Sequence, residues 1–138
     1  MSTCTNTCIS LHRFVDELTT GLLPLAVSRK TIIVNQIDRT LEIGTDENML
    51  AYVLWNLLDR AVCSTQNECI HIESVRDAEN TAIVVRNAGT YFYRTLSNGF
   101  RPIQHAAEKL GGSISIDYTE DNGTTIALIL LHKDLPAA

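Results

Sequence analysis

Cysteine and histidine are the residues whose spacing most readily reveals chemistry, and the chain has four of each. Cys4, Cys8, Cys63 and Cys69 include no Cys-x-x-Cys pair and no two histidines stand near them, so the pattern fits no zinc site. A chain this rich in aliphatic residues does not need disulfides to fold, and free thiols are the expectation. His71, His105 and His132 fall on a strand, a helix and the tail, too scattered to share a metal. His12, on the predicted first helix and followed by Arg13, is expected to be an exposed surface histidine. Asn56 and Arg60 stand one helical turn apart on one face. A guanidinium fork meets phosphate oxygens directly and cannot coordinate a cation. Beside Asp59 and Glu47 the same arginine also reads as a solvated charge, and Asn56 as a plain surface amide. Tyr52 and Trp55 lie off the main apolar stripe of that helix, which suits either the lining of a pocket or a partner surface.

These side chains sit in a chain of 138 residues, 45% hydrophobic and 20% charged, with a formal net charge of -5. That is enough chain for one domain with a real core and too little for two. An acidic balance without a Lys/Arg run argues against nucleic acid, whose phosphates need clustered positive charge. The N-terminus is polar and uncharged, and no apolar run reaches 18 residues, so neither a secretory signal nor a membrane span is expected and the reading is cytoplasmic. Residues 1–9 are expected to be a flexible N-terminal segment, 10–134 a single domain and 135–138 a tail.

The elements that must position the polar groups follow from periodicity. Leu11, Phe14, Val15, Leu18, Leu22 and Leu25 recur at steps of three and four, which predicts a helix from Ser10 toward Ser28, bent or interrupted near its end by Pro24. Thr31–Ile37 and Thr40–Ile43 read as a first hairpin across Asp38-Arg39. Thr45 is placed to cap a helix with Asp46 and Glu47 in its first turn, and the pairs Met49/Leu50, Val53/Leu54, Leu57/Leu58 and Ala61/Val62 repeat every four residues. Cys69–Val75 and Thr81–Val85 read as an antiparallel pair. A helix opened by Pro102 and stopped by Gly111-Gly112 precedes a closing hairpin, Ser113–Thr119 with Thr124–Leu131. The sum is a two-layer α/β sandwich, a mixed and mostly antiparallel sheet covered on one face by three helices.

That order, with three local motifs, resembles the histidine kinase-like ATPase domain shared by sensor histidine kinases, gyrase, a heat-shock chaperone and MutL. Thr45-Asp-Glu-Asn-Met-Leu-Ala-Tyr-Val-Leu-Trp-Asn-Leu-Leu-Asp-Arg-Ala61 looks like the Asn-containing box of the kinases. Val84-Val-Arg-Asn-Ala-Gly89 sits where the family has a strand ending in Asp-x-Gly-x-Gly, and Gly99 through Gly111-Gly112 matches its last glycine box and following helix. The resemblance covers nearly all of the chain from Leu11 onward. No two-helix hairpin bearing a phosphorylatable histidine stands ahead of it in this sequence.

The resemblance implies ATP and Mg²⁺ as cofactors and a signalling protein as partner, either histidine-bearing or of response-regulator type. It assigns Asn56 to the metal, Arg60 to the phosphate end, Asn87 to the adenine, and Gly89 and Gly99 to the glycine boxes. It also exposes departures. Arg60 stands where the second box asparagine belongs, and Cys63-Ser64 replaces a Lys-aromatic pair. Asn87 replaces an aspartate, which forfeits the charge-assisted part of a hydrogen bond, roughly 1 kcal/mol or about tenfold in affinity. Tyr91 replaces a glycine, Thr95 and Ser97 stand in the phosphate-wrapping box, and Thr90–Asn98 is short for a lid. The expectation is a degenerate nucleotide site on a signalling fold, a pseudokinase or adaptor. The alternative is an active kinase module, either a histidine kinase catalytic domain or an anti-sigma-type serine kinase.

Overall fold

A computed structural model describes residues 6–63, 65–87, 100–120 and 123–131. The elements run β1 (Asn6–Ser10), α1 (Leu11–Ser28), β2 (Ile32–Asn35), β3 (Glu42–Asp46), α2 (Glu47–Cys63), β4 (Cys69–Arg76), β5 (Asn80–Asn87), α3 (Arg101–Lys109), β6 (Gly112–Thr119) and β7 (Gly123–Leu131). The main sheet has the order β2-β4-β5-β7-β6, with β2 parallel to β4 and every other pairing antiparallel. A separate two-stranded ribbon joins β1 to β3.

Alternation along the strands decides which face carries helices. Ile70 and Ile72 of β4, Ile83 and Val85 of β5, and Ile126, Leu128 and Leu130 of β7 are buried against Leu11, Val15 and Leu22 of α1, Leu50, Leu54, Leu57 and Leu58 of α2, and Ile103 and Ala107 of α3. Each fully buried Leu or Ile contributes about 1.5–3 kcal/mol relative to exposure, which makes this layer the main source of stability. The opposite sheet face shows Val75, Arg86, Ser113, Ser115 and Asp117 to solvent. The two-layer sandwich expected from periodicity is the observed architecture.

Three local expectations are corrected. First, β2 and β3 form no hairpin. Asp38 closes a local turn by accepting from the Thr40 amide (2.9 Å) and hydroxyl (2.7 Å), and the chain then leaves the main sheet. β2 pairs with β4, while β3 pairs along its whole length with β1. Second, the expected flexible segment over residues 1–9 is in its latter part β1, because β3 offers it an edge to pair with. Third, the cap of α2 is Asp46. Its Oδ1 accepts from the Met49 amide at 3.2 Å, whereas Thr45 is a buried strand residue.

α1 also runs through Pro24 to Ser28. The proline is exposed, so the Thr20 carbonyl that loses its partner faces water. The end of α1 is closed by the Lys30 amide on the Val27 carbonyl (3.0 Å) and the Thr31 amide on the Ala26 carbonyl (2.9 Å), a Schellman arrangement with Lys30 at φ 54°. Gly111, at φ 81°, ends α3, and a Cβ on Gly112 would stand 2.3 Å from the Ile129 carbonyl oxygen, so β6 requires glycine to approach β7. His12, expected on the surface, is 7% exposed. Its carbonyl accepts from Asn35 Nδ2 at 3.0 Å, and the same amide nitrogen donates to Asp16 at 3.0 Å, clipping α1 to β2.

Two substitutions check this account by thermal melting. Asp46→Ala is expected to remove the cap of α2 at a cost of about 1 kcal/mol, a fall of a few degrees, with Asp46→Asn close to neutral. Lys30→Gly is expected to raise the midpoint by a few degrees, because a left-handed backbone costs a lysine roughly 1 kcal/mol that glycine avoids.

Candidate functional site

α2 faces two ways. Its buried stripe, Leu50, Val53, Leu54, Leu57, Leu58, Ala61 and Val62, anchors it to the sheet and fixes Asn56, Arg60 and Cys63 on the other side at steps of four and three. The Asn56 Nδ2 donates to the Tyr52 carbonyl at 2.7 Å, so its amide oxygen is what it can offer a cation. Arg60, in the last turn, is half-buried. The Cys63 Sγ lies 4.0 Å from an Asp59 carboxylate oxygen, and its pKa is raised, first by burial and then by the Asp59 charge, against the opposing pull of Arg29. The Trp55 ring packs over α1, where a Cβ on Gly21 would stand 3.0 Å from its Cζ3. Much of its apolar surface is thus spent on a helix contact, while Tyr52 is exposed.

At the other end of the site Asn87 closes β5, 3% exposed and opposite the fully buried Thr124 of β7. Its Nδ2 donates to Glu68 Oε1 at 2.9 Å. A carboxylate has only acceptors, so the amide group facing it must be the NH₂, whichever way the side chain is drawn. Glu68 is a neighbour of this candidate residue that the sequence reading did not single out. The signal was present in the register. Ile72 pairs with Val85, so Glu68, Ile70 and Ile72 share the covered face with Ile83, Val85 and Asn87, and the carboxylate and amide become diagonal neighbours at the strand ends.

Glu68 is held by the corner that precedes it. Arg29 Nε donates to the Thr65 carbonyl at 2.7 Å, the buried hydroxyls of Thr31 and Thr65 share a 3.0 Å hydrogen bond, and the Asn67 amide donates to the Arg29 carbonyl at 3.0 Å. Asn67 adopts φ 58°, a left-handed conformation that asparagine tolerates. The Ile32 amide then donates to the Glu68 carbonyl at 2.9 Å as β2 begins.

Gly89 and Gly99 lie outside the described residues, as do Tyr91, Thr95, Ser97 and the whole of Thr90–Asn98. Among the described residues no group of three or more His, Cys, Asp or Glu could hold a metal, and no helix is long and apolar enough to cross a membrane. His71 pairs with Gln36 at 3.1 Å, His105 stands 4.0 Å from Glu108, and His132 is outside the described residues. Cys8, Cys63 and Cys69 are free thiols, and Cys4 is outside the described residues.

Neither the known family models nor the curated proteins yield a match. Solved structures do. The catalytic domain of histidine kinase ThkA is 18% identical with a TM-score of 0.80, over 94% of this chain and 98% of that one. Histidine kinase AdeS of Acinetobacter baumannii is 13% identical with a TM-score of 0.80, over 96% and 70%. The cytoplasmic segment of histidine kinase QseC is 19% identical with a TM-score of 0.71, over 92% and 78%. A further match, at 18% identity and a TM-score of 0.77 over 92% and 42%, is ThkA in complex with the response regulator protein TrrA. The sheet order, the helices on one face and this likeness together establish that the chain has the histidine kinase-like ATPase domain fold.

Proposed function

We propose that the chain is a two-component-type signalling module that acts through protein contact, with weak or no ATP binding and no phosphoryl transfer of its own. The observation that carries this reading is the stripe Asn56, Arg60, Cys63 on α2. A Mg²⁺ bound through protein needs hard oxygen donors, and this stripe supplies one amide oxygen, a cation and a soft sulfur. Arg60 can meet a phosphate through its guanidinium fork, so the site suits an anion without a metal. At the base end Asn87 is the residue that faces the purine, a neutral acceptor where an aspartate would add charge. The Mg²⁺ that the fold would otherwise recruit is left with Asn56 alone among these positions.

The partner we assign is a signalling protein, histidine-bearing or of response-regulator type. The likeness to ThkA, which is seen with a response regulator, supports that class. A nucleic-acid partner is disfavoured by the net charge of -5.

A thermal melt with ATP or ADP, with and without Mg²⁺, tests the reading, because a ligand that binds only the native state raises the midpoint. At about 5 mM nucleotide, a site with a dissociation constant of about 1 mM gains roughly 1 kcal/mol, a shift of a few degrees at most. The expected result is a shift no larger than this and unchanged by Mg²⁺. A large Mg²⁺-dependent shift that Asn56→Ala abolishes would favour the active kinase module.

A further inference from the structure

We propose that β6 is a self-association edge, at which two copies of the chain pair their β6 strands antiparallel about Ile116 and join their main sheets into one. β6 and β2 are the outer strands of the main sheet, and among the described residues no strand lies beyond either. The two edges differ. β2 pairs over four residues, Ile32–Asn35, which offers little template to another strand. β6 runs for eight, Gly112–Thr119, in one-to-one register with β7 and without a bulge. It holds no proline and no lysine, and its single charge is Asp117. Edge strands of monomeric proteins are ordinarily blunted by short length, bulges, prolines or several charges, and β6 has only the lone carboxylate.

The side chains of β6 say what fits this edge. Ile114 and Ile116 pack against the core but are only partly buried, and Tyr118 in the same row is half-buried. A strand beyond β6 covers the flank of all three. Backbone pairing alone accepts any extended strand, whereas the side-chain match singles out a second copy. Residues opposite each other in an antiparallel pair point to the same side of the sheet, so identical strands pair about an axis through a residue and not between two. An axis at Ile116 sets Ile116 against Ile116 and Tyr118 against Ile114 on the helix-covered side, with Asp117 against Ser115 and Ser113 against Thr119 on the open side. Aromatic and β-branched residues pair favourably across strands, and the carboxylate meets a hydroxyl that donates to it. An axis at Ser115 leaves Tyr118 opposite Gly112, and one at Asp117 opposes two carboxylates. In a chain of net charge -5, the register that keeps the carboxylates apart is favoured. It spans residues 113–119 of each copy, with roughly six to eight backbone hydrogen bonds. An edge contact buries little area beside a standard interface, so the dimer is weak, with a dissociation constant on the order of 100 µM.

Sedimentation velocity of the full chain from about 10 to about 1,000 µM, with hydrogen–deuterium exchange at both ends of that range, tests this. The native chain is expected to shift from monomer to dimer, with amide protection over residues 113–119 rising with concentration. Ser115 is exposed, so its variants alter the contact with little effect on the fold. Ser115→Asp sets a carboxylate against Asp117 twice in the dimer and is expected to weaken it about threefold to tenfold. Ser115→Lys makes two opposite-charge pairs instead and is expected to tighten the dimer by a similar factor, an effect lost at high salt. About Ser115 the two lysines would face each other and weaken it, so tightening identifies the axis. Val75→Ser, on the exposed open face of the sheet, is expected to leave association unchanged. A chain that stays monomeric throughout overturns the inference, whether β6 then takes a strand of another protein or none. So does a dimer indifferent to Ser115→Asp, one that Ser115→Lys weakens, or one that Val75→Ser abolishes. None of these outcomes bears on nucleotide binding, so the proposed function stands or falls separately.

Discussion

The corner where the Thr31 and Thr65 hydroxyls meet governs more of the molecule than its size suggests. Four elements end or begin there: α1, β2, α2 and β4. Both threonines are buried, so each hydroxyl must find a partner inside the protein, and they find each other, with Thr65 also donating to the Val62 carbonyl. The Arg29 guanidinium adds a charge-assisted bond to the Thr65 carbonyl. The parallel pairing of β2 with β4 starts from this corner, which is why β2 joins the main sheet and does not fold back on β3. Without it Glu68 would have no fixed position, and neither would the amide it orients.

α2 carries its packing stripe and its outward polar groups on opposite faces. The leucines that bury it against the sheet place Asn56, Arg60 and Cys63 in a row, whatever those residues are. Core packing tolerates any polar side chain on the outward face, so the kinase-like fold does not depend on keeping kinase-like ligands.

Much of the architecture was legible in the sequence because it rests on periodicity. The alternation of Ile70, Ile72, Ile83 and Val85 and the four-residue repeat of α2 specified the layers and the covered face. What stayed hidden depends on partners distant in sequence. β1 is too short and polar to announce itself without β3, and the pairing of β2 depends on a corner built from Arg29, Thr31 and Thr65. Asp46 outcompeted Thr45 as the cap because Thr45 is drawn into β3. His12 was expected at the surface because the apolar stripe alone does not show that β2 and Asn35 cover that side of α1. Asn56, Arg60 and Asn87 were identified from motifs, and the structure places the first two on the outward face of α2 and the third at the end of β5. Glu68 could be found only once the register of β4 against β5 was known.

Phosphoryl transfer is the most direct measure of whether the stripe on α2 has lost its chemistry. The chain incubated with γ-labelled ATP and Mg²⁺, alone and with response-regulator and histidine-bearing phosphotransfer proteins, is expected to release no phosphate above background and to label neither itself nor a partner. Mg²⁺-dependent hydrolysis or labelling that disappears in Asn56→Ala would contradict the account, because it would mean that Asn56 and Arg60 suffice to hold a catalytic metal–nucleotide complex.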